Sequence, residues 1–402
     1  MNIKKQISRL YLYEIVSGLQ IVDAVWVFFL LERGFSLAQV GIAEGVFHAV
    51  SMCFEIPSGM VSDTIGRRKT LMLAGIVSAV SAFCMIVSDA FFMILLAMGI
   101  NAVSYNLVSG TREALTYDSL LEAGEEKNYL KVASRQDFLY EGLFAFTNLM
   151  SIVTVAIGYQ KAYFLSILQG ILCTVCAASL QEAMEGQRTF GERRIAADLF
   201  REVGAHFLQT AVFLRKVPEI AWRMAYSGLI SAAVYVVYML LQDHLVETGL
   251  EPGFLGIPLL LISLCSMAGA VLTEKTGRMS LRFFYLAGGI LTGIFLFLSG
   301  RKSLAVSVAG AGAAHCIGEM IMLRTEAENQ KDFSGSSRAT MVSVGSMAYS
   351  IFMVLLSPAA GVAAEKFSIL AAFSMLGLLT AAAGLIMFVR RAATTQSLPH
   401  EE

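Results

Sequence analysis

Long apolar runs separated by short polar loops follow one another along almost the whole chain. A helix needs about 20 apolar residues to cross the hydrocarbon core of a bilayer, and windows of that length recur throughout. They predict about twelve membrane-spanning helices, and hence an all-α integral membrane protein. The predicted spans lie near residues 10–31, 38–60, 71–88, 90–112, 136–157, 162–181, 219–241, 254–273, 281–299, 303–323, 339–362 and 367–389.

The longest polar interruption falls in the middle of the chain and divides the predicted helices six and six. We therefore expect two pseudo-symmetric six-helix bundles, residues 1–183 and 218–402, joined by a cytoplasmic linker over residues 184–217. Inside the linker, apolar residues recur at helical spacing from 195 to 214, which predicts an amphipathic helix lying on the membrane surface.

Composition and charge agree with a membrane location. Of 402 residues, 56% are hydrophobic and 15% charged, the mean hydropathy is +0.66, and the net charge is -1. Basic residues are rare in one set of alternate loops, so the positive-inside rule places both termini in the cytoplasm. We expect a multi-pass protein of a bacterial inner (cytoplasmic) membrane, in contact with lipids and not with nucleic acid. The sparse loops hold Arg33, Lys161, Arg301, Lys302 and Lys366.

One short loop between the second and third predicted helices concentrates charge and glycine. It reads Gly59-Met-Val-Ser-Asp63-Thr-Ile-Gly66-Arg67-Arg68-Lys69. The loop resembles the G-x-x-x-D-x-x-G-R-R-K signature of the major facilitator superfamily, which implies twelve helices and a transporter working by alternating access. A shorter, altered copy, Glu274-Lys-Thr-Gly-Arg278, follows the eighth predicted helix.

The resemblance implies that this loop forms an inner gate, and its gate residues are Gly59, Asp63, Gly66, Arg67, Arg68 and Lys69. Gly59 would let helix 2 approach a neighbour, Gly66 would supply the turn, and the three cations would anchor the loop at the interface. Asp63 could pair with Arg67. The resemblance implies that an acid at the inner end of helix 4, here Asp118, completes the latch.

Ionisable residues inside apolar spans need partners or water, so they are candidates for proton coupling. Structural roles are the alternative: Asp23 could serve a structural pair, and Arg112 could belong to a static network with Asp137 or Glu141 at the start of helix 5. The coupling candidates are Asp23, Glu44, His48, Arg112, Glu141, His315 and Glu319.

The resemblance also implies that helices 1, 4, 7 and 10 line a central cavity. Simple packing is the alternative for the aromatic residues of helix 7. The candidate substrate residues are Gln20, Trp26, Asn101, Tyr105, Ser231, Tyr235 and Tyr238, beside His315 and Glu319.

A few polar groups among Tyr, Trp, Phe and Met suit a small amphiphilic substrate, so we expect proton-coupled export of a drug-like compound by a monomer. Import of a small nutrient, and a receptor or lipid scramblase on the same scaffold, are the alternatives. Two family patterns are missing, an arginine at Met98 in helix 4 and a G-P-x-x-G-G run in helix 5. We expect no catalysis and no cofactor. We also expect no metal, because His315-x-x-x-Glu319 has no further ligand on its face. We interpret the six cysteines as packing residues.

Overall fold

The computed structural model describes residues 2–183, 217–331 and 338–396, and the isolated positions Gly204, Leu208 and Arg215. The predicted linker, residues 184–217, lies almost entirely outside these ranges. Within them the regular structure is helical, with short 3-10 helices at Glu126–Asn128, Pro252–Phe254 and Glu274–Arg278. The α-helices are α1 Ile3–Gly18, α2 Trp26–Glu32, α3 Leu37–Ile65, α4 Arg67–Val87, α5 Phe91–Val108, α6 Thr111–Glu122, α7 Tyr129–Ile157, α8 Tyr159–Ser179, α9 Pro218–Glu247, α10 Gly256–Thr273, α11 Leu281–Ser299, α12 Leu304–Lys331, α13 Arg338–Lys366 and α14 Ile369–Gln396.

Eleven helical segments in the described part of the chain are long and apolar enough to cross a membrane. Their lengths run from 19 to 32 residues, and between 25% and 67% of the residues in their most apolar windows are buried inside the protein, so that large apolar surfaces stay uncovered. Such surfaces suit lipid as the solvent. The predicted all-α multi-pass membrane fold is therefore confirmed.

The first predicted span, residues 10–31, is wrong as a single helix. The chain leaves helical geometry after Gly18 and resumes it at Trp26. Turn hydrogen bonds replace the α-helical pattern in between, including Asp23 N–H to the Gln20 carbonyl at 3.3 Å and Val25 N–H to the Val22 carbonyl at 3.0 Å. In such a turn, a polar side chain can form hydrogen bonds with nearby backbone groups, which an α-helix would keep for its own hydrogen bonds.

The fourth predicted span, residues 90–112, is likewise interrupted. It ends at Val108, and a new helix, α6, starts at Thr111 after Gly110, whose φ of 74° belongs to the left-handed region. Glycine adopts that conformation without a steric penalty. The break turns the chain just before Arg112, and so it fixes the direction in which that side chain leaves the backbone.

Packing divides the chain into two units, residues 1–29 with 46–207, and residues 30–45 with 208–402. In the first unit α4 packs closely on α8, where Gly75 and Gly170 face each other. A β-carbon on Gly75 would lie 2.6 Å from the Gly170 carbonyl oxygen, so neither position accepts a side chain without moving a helix.

In the second unit, α11 and α14 also pack closely through glycines that face each other. A β-carbon on Gly289 would lie 2.6 Å from the Thr380 carbonyl oxygen and 2.8 Å from the α-carbon of Gly384, and Gly293 meets Gly377 in the same way. Small residues let helices approach closely where lipid provides no hydrophobic drive for association. The helices of the third and sixth predicted spans are thus joined in the same way in each half of the chain.

Candidate functional site

A cavity of about 700 Å³ lies inside the second unit, between α9, α12 and α13, with one contribution from α10. At one edge of this cavity the backbones of α9 and α13 approach each other closely. A β-carbon on Gly228 would lie only 3.0 Å from the Tyr349 nitrogen. Ile220, Met224 and Val344 form an apolar cluster where these helices meet. The polar side chains that line the cavity are Ser227, Ser231, Tyr235, Ser266, His315, Glu319, Thr325, Glu326, Asn329, Gln330, Ser346 and Tyr349.

His315 and Glu319 lie one turn apart on α12 and both face the cavity. The hydroxyl of Ser266 donates a hydrogen bond to Glu319 Oε2 at 3.4 Å. The His315 ring stands edge-on to Tyr238, with 5.3 Å between the ring centroids, and its Nε2 is buried without a hydrogen-bond partner. This arrangement offers a carboxylate and a ring nitrogen to a polar ligand.

In the first unit, the charged loop between α3 and α4 is held by acidic residues from elsewhere. The guanidinium of Arg67 pairs with Asp118 on α6. Glu182 accepts the backbone N–H groups of Arg67 and Arg68 at 2.7 and 2.9 Å, and so caps the first turn of α4. Gly66, with φ of 93°, precedes them as the N-cap residue. A carboxylate at a helix N-terminus satisfies free donors and the helix dipole together.

Comparison with known proteins identifies the family. A sequence profile described as the Major Facilitator Superfamily matches residues 15–324. The chain belongs to the major facilitator superfamily. It is therefore a membrane transporter of that type. A curated relative, the "Uncharacterized MFS-type transporter YxaM" of Bacillus subtilis (strain 168), is 30% identical over 129 residues, which are 30% of this chain and 30% of that protein.

Solved structures share the fold across nearly the whole chain. The nucleoside transporter NupG has a TM-score of 0.77 at 13% identity, covering 99% of this chain and 100% of that one. A structure of tetrameric PepTSo2 has a TM-score of 0.72 at 13% identity, with 98% and 100% covered. A POT family transporter in complex with 5-aminolevulinic acid reaches 0.70 at 13% identity, with 96% and 95% covered. At these identities the likeness concerns the major facilitator fold alone.

The structure brings together four of the residues predicted for a superfamily substrate site. Ser231, Tyr235, His315 and Glu319 all line this same cavity in the second unit, and Tyr238 contacts it through His315. Sequence reasoning missed the continuation of this wall along α12, which carries Thr325, Glu326, Asn329 and Gln330. The signal was present, since His315, Glu319, Met322, Glu326 and Asn329 follow one another at steps of 4, 3, 4 and 3.

The candidates from the first predicted helix lie elsewhere. Asp23 is exposed in the turn between α1 and α2, not at the centre of a continuous helix, with Gln20 in the same turn and Trp26 at the start of α2. On α5, Asn101 is half-buried and Tyr105 is 57% exposed, with the Tyr105 ring 5.9 Å from that of Phe47. These residues belong to the first unit.

Two further candidates from the first predicted half lie one turn apart on α3. Glu44 and His48 are both buried, with 4% and 8% of their surface exposed. The His48 ring meets that of Phe47 edge-on at 5.3 Å. A buried carboxylate and imidazole so placed stay candidates for coupling.

Arg112 has a partner that the sequence did not predict. Its guanidinium lies 2.5 Å from Glu14 Oε1 on α1 and 2.5 Å from Glu113 Oε1. Asp137 and Glu141 lie in α7, but their side chains fall outside the described residues. The Glu14 side chain is fully buried, whereas 45% of the Glu113 side chain is exposed. Arg112 therefore compensates a charge that has no access to water.

Two expectations for the charged loop are wrong. A β-carbon on Gly59 would meet nothing within 4 Å among the described residues, so this glycine makes no close contact with any helix in that part of the chain. Asp63 is exposed at the end of α3, and Arg67 pairs with Asp118 rather than with Asp63. Lys69 is exposed as well. The glycine that does approach another group is Gly66, whose β-carbon would lie 2.8 Å from Glu182 Oε2.

The altered copy of the loop, Glu274–Arg278, is held by an arginine from the facing helix. Arg324 of α12 is buried and donates to the carbonyl oxygens of Thr276 and Met279, with its guanidinium 4.5 Å from the Phe284 ring centroid. The second half thus reverses the first: the helix supplies the cation and the loop supplies the acceptors. Among the described residues, no group of three His, Cys, Asp or Glu side chains is placed to hold a metal ion.

Proposed function

We propose that this transporter exports a small amphiphilic compound in exchange for protons, with the cavity between α9, α12 and α13 forming part of its substrate site. The observation that carries the proposal is the composition of that cavity. Glu319 and His315 lie beside Tyr235, Met224 and other apolar groups, a mixture that suits a ligand with one polar end. Alternating access would carry this site from one face of the membrane to the other.

Proton coupling is proposed for residues whose side chains gain or lose a proton during transport. A change of protonation would break the ion pair or hydrogen bond that such a side chain makes. His315 and Glu319 line the cavity and would exchange protons there with a bound substrate. Arg112 contacts both the Glu14 and the Glu113 carboxylates, and protonation of one would leave it paired with the other. The remaining candidates, Asp23, Glu44, His48 and Glu141, stay predictions.

The charged loop is proposed as the inner latch, acting through Arg67, Asp118 and Glu182 rather than through Asp63. Each of these contacts joins the loop to another part of the first unit, so movement of the loop would have to break them.

The basic loops favour both termini in the bacterial cytoplasm, and we propose a monomer with lipid around its apolar faces.

Transport in proteoliposomes tests this function. Labelled amphiphilic compounds would be screened with and without an imposed pH gradient, comparing wild type with Glu319→Gln, Asp23→Asn and the control Glu328→Gln, which changes a carboxylate of α12 outside the cavity. We expect gradient-driven flux that Glu319→Gln abolishes and Glu328→Gln preserves. Flux that ignores the gradient would contradict proton coupling.

Import is the second candidate. It is favoured by the likeness to solved structures of a nucleoside transporter and of POT family transporters, one of them bound to 5-aminolevulinic acid. The same proteoliposomes decide between the two directions. Export in exchange for protons requires the substrate to move opposite to the flow of protons. Scrambling of labelled lipid without any added substrate would instead support a scramblase.

A further inference from the structure

We infer that the cavity of the second unit takes an organic cation that carries N–H groups, such as a primary or secondary amine or a guanidine. The inference rests on the proposed function, since it takes this cavity as the substrate site. It is drawn from the charge, the unsatisfied acceptors and the aromatic rings of the cavity wall.

The charge of the wall is negative. Glu319 and Glu326 both line the cavity, and of the described residues no lysine or arginine does. Two arginines lie buried in the same unit outside the lining: Arg324 donates to backbone carbonyls, and Arg223 is on α9 one turn before Ser227. An anionic ligand would therefore meet repulsion here, while a cation would be attracted in surroundings of low dielectric.

Two buried polar atoms in the described part of the wall have no hydrogen-bond partner. Asn329 is 5% exposed, and its Oδ1 is buried without a hydrogen-bond partner. His315 Nε2 is buried and unpaired too, and it accepts a hydrogen bond when the ring proton is on Nδ1. A buried acceptor without a partner is unfavourable, so a ligand that donates to it gains the lost interaction. Carboxylate, amide oxygen and imidazole nitrogen together select a ligand with several N–H donors.

Aromatic rings complete the selection. Tyr235 and Tyr349 line the cavity, and the rings of Tyr235 and Tyr238 lie 6.4 Å apart. The faces of such rings attract cations and pack against apolar ligand groups. A peptide or amino acid also carries a carboxylate, for which the described wall offers no cation, and a nucleoside carries no positive charge to meet Glu319.

Equilibrium binding to the purified protein in nanodiscs tests the inference with a matched ligand set. The probes are a primary arylalkylamine, its quaternary trimethyl analogue, its neutral alcohol and its carboxylate. We expect the primary amine to bind about tenfold or more tightly than the alcohol and the carboxylate, and more tightly than the quaternary cation. Equal or tighter binding of the carboxylate or the alcohol would overturn the inference.

Variants assign the effect to the wall. Glu319→Gln should weaken amine binding about tenfold or more and leave alcohol binding unchanged, while the control Glu328→Gln should alter neither. His315→Phe keeps a ring beside Tyr238 and removes the acceptor, so it should weaken the primary amine more than the quaternary cation. Thermal unfolding of each variant shows whether it is folded. Folded Glu319→Gln protein with unchanged amine affinity would contradict the assignment.

The binding assay and the transport assay fail separately. Amine binding that depends on Glu319, without proton-driven flux, would refute the proposed exchange and retain the inferred substrate class. Proton-driven export of a neutral or anionic compound, with no amine binding, would retain the exchange and refute the substrate class.

Discussion

Replacement of Arg112 by methionine tests the idea that this side chain compensates the buried charge of Glu14. The Glu14 side chain has no exposed surface, and its Oε1 lies 2.5 Å from the Arg112 guanidinium. Methionine fills a similar volume without charge, so Arg112→Met leaves a carboxylate in the protein interior with its compensating cation gone.

The expected magnitude follows from burial. Removing one partner of a buried ion pair lowers stability by about 3–5 kcal/mol, because the other charge stays desolvated. The Glu113 carboxylate contacts the same guanidinium at the same distance, but 45% of its side chain is exposed, so Glu113→Gln should lower stability by less than about 1 kcal/mol. The double variant Glu14→Gln with Arg112→Met removes both buried charges and should recover most of the loss.

The free energy of unfolding in bicelles is measured for these four proteins and for the single variant Glu14→Gln, which the double-mutant cycle requires. The series should run from wild type through Glu113→Gln and the double variant to Arg112→Met, the least stable. The coupling energy between Glu14 and Arg112 from the double-mutant cycle should be about 1 kcal/mol or more. If Arg112→Met and Glu113→Gln were equally mild, burial of Glu14 would not determine the energetics of this cluster.

Four further substitutions test local contacts, or the lack of one, inside each unit. Glu182→Ala removes the acceptor of two N–H groups at the start of α4 and should lower the free energy of unfolding by about 1–2 kcal/mol; no loss would show that water caps the helix equally well. Arg324→Lys cannot reach both loop carbonyls and should lower stability by about 1 kcal/mol or more, measured in the same way. Gly293→Ala should lower stability by about 1–3 kcal/mol because its β-carbon strikes the Gly377 carbonyl. Gly59→Ala, in open space within its helix, should raise stability by about 0.5–1 kcal/mol, and the opposite order of these two glycines would contradict the packing described.

Hydropathy predicted most of the helices because each span must be apolar over its whole length. It missed the break between Gly18 and Trp26, since an average over about 20 residues hides a few polar positions such as Gln20 and Asp23. It also ended the tenth predicted span at residue 323, whereas the corresponding helix, α12, continues to Lys331. The last two turns are polar, so their helical state depends on neighbours and not on lipid.

The candidate site was predictable only in part for a different reason. Periodicity placed His315 and Glu319 on one face, and the cavity includes both. The family resemblance implied Asp118 for the charged loop, and Arg67 does pair with it. The partner of Arg112 and the second acid of the loop were not predictable, because Glu14 and Glu182 lie far from them in sequence and either could have faced other groups. Such contacts depend on how helices pack, which local spacing does not determine.

Protection of cysteines by substrate tests most directly whether the cavity of the second unit binds the transported compound. In a variant without the six native cysteines, Ser231→Cys and Ser346→Cys place thiols in the cavity wall, and Ser374→Cys on α14 places one outside it. The transported amine at saturating concentration should slow alkylation of the first two thiols and not of the third. Unchanged alkylation at Ser231→Cys and Ser346→Cys, in variants that still transport, would contradict the account.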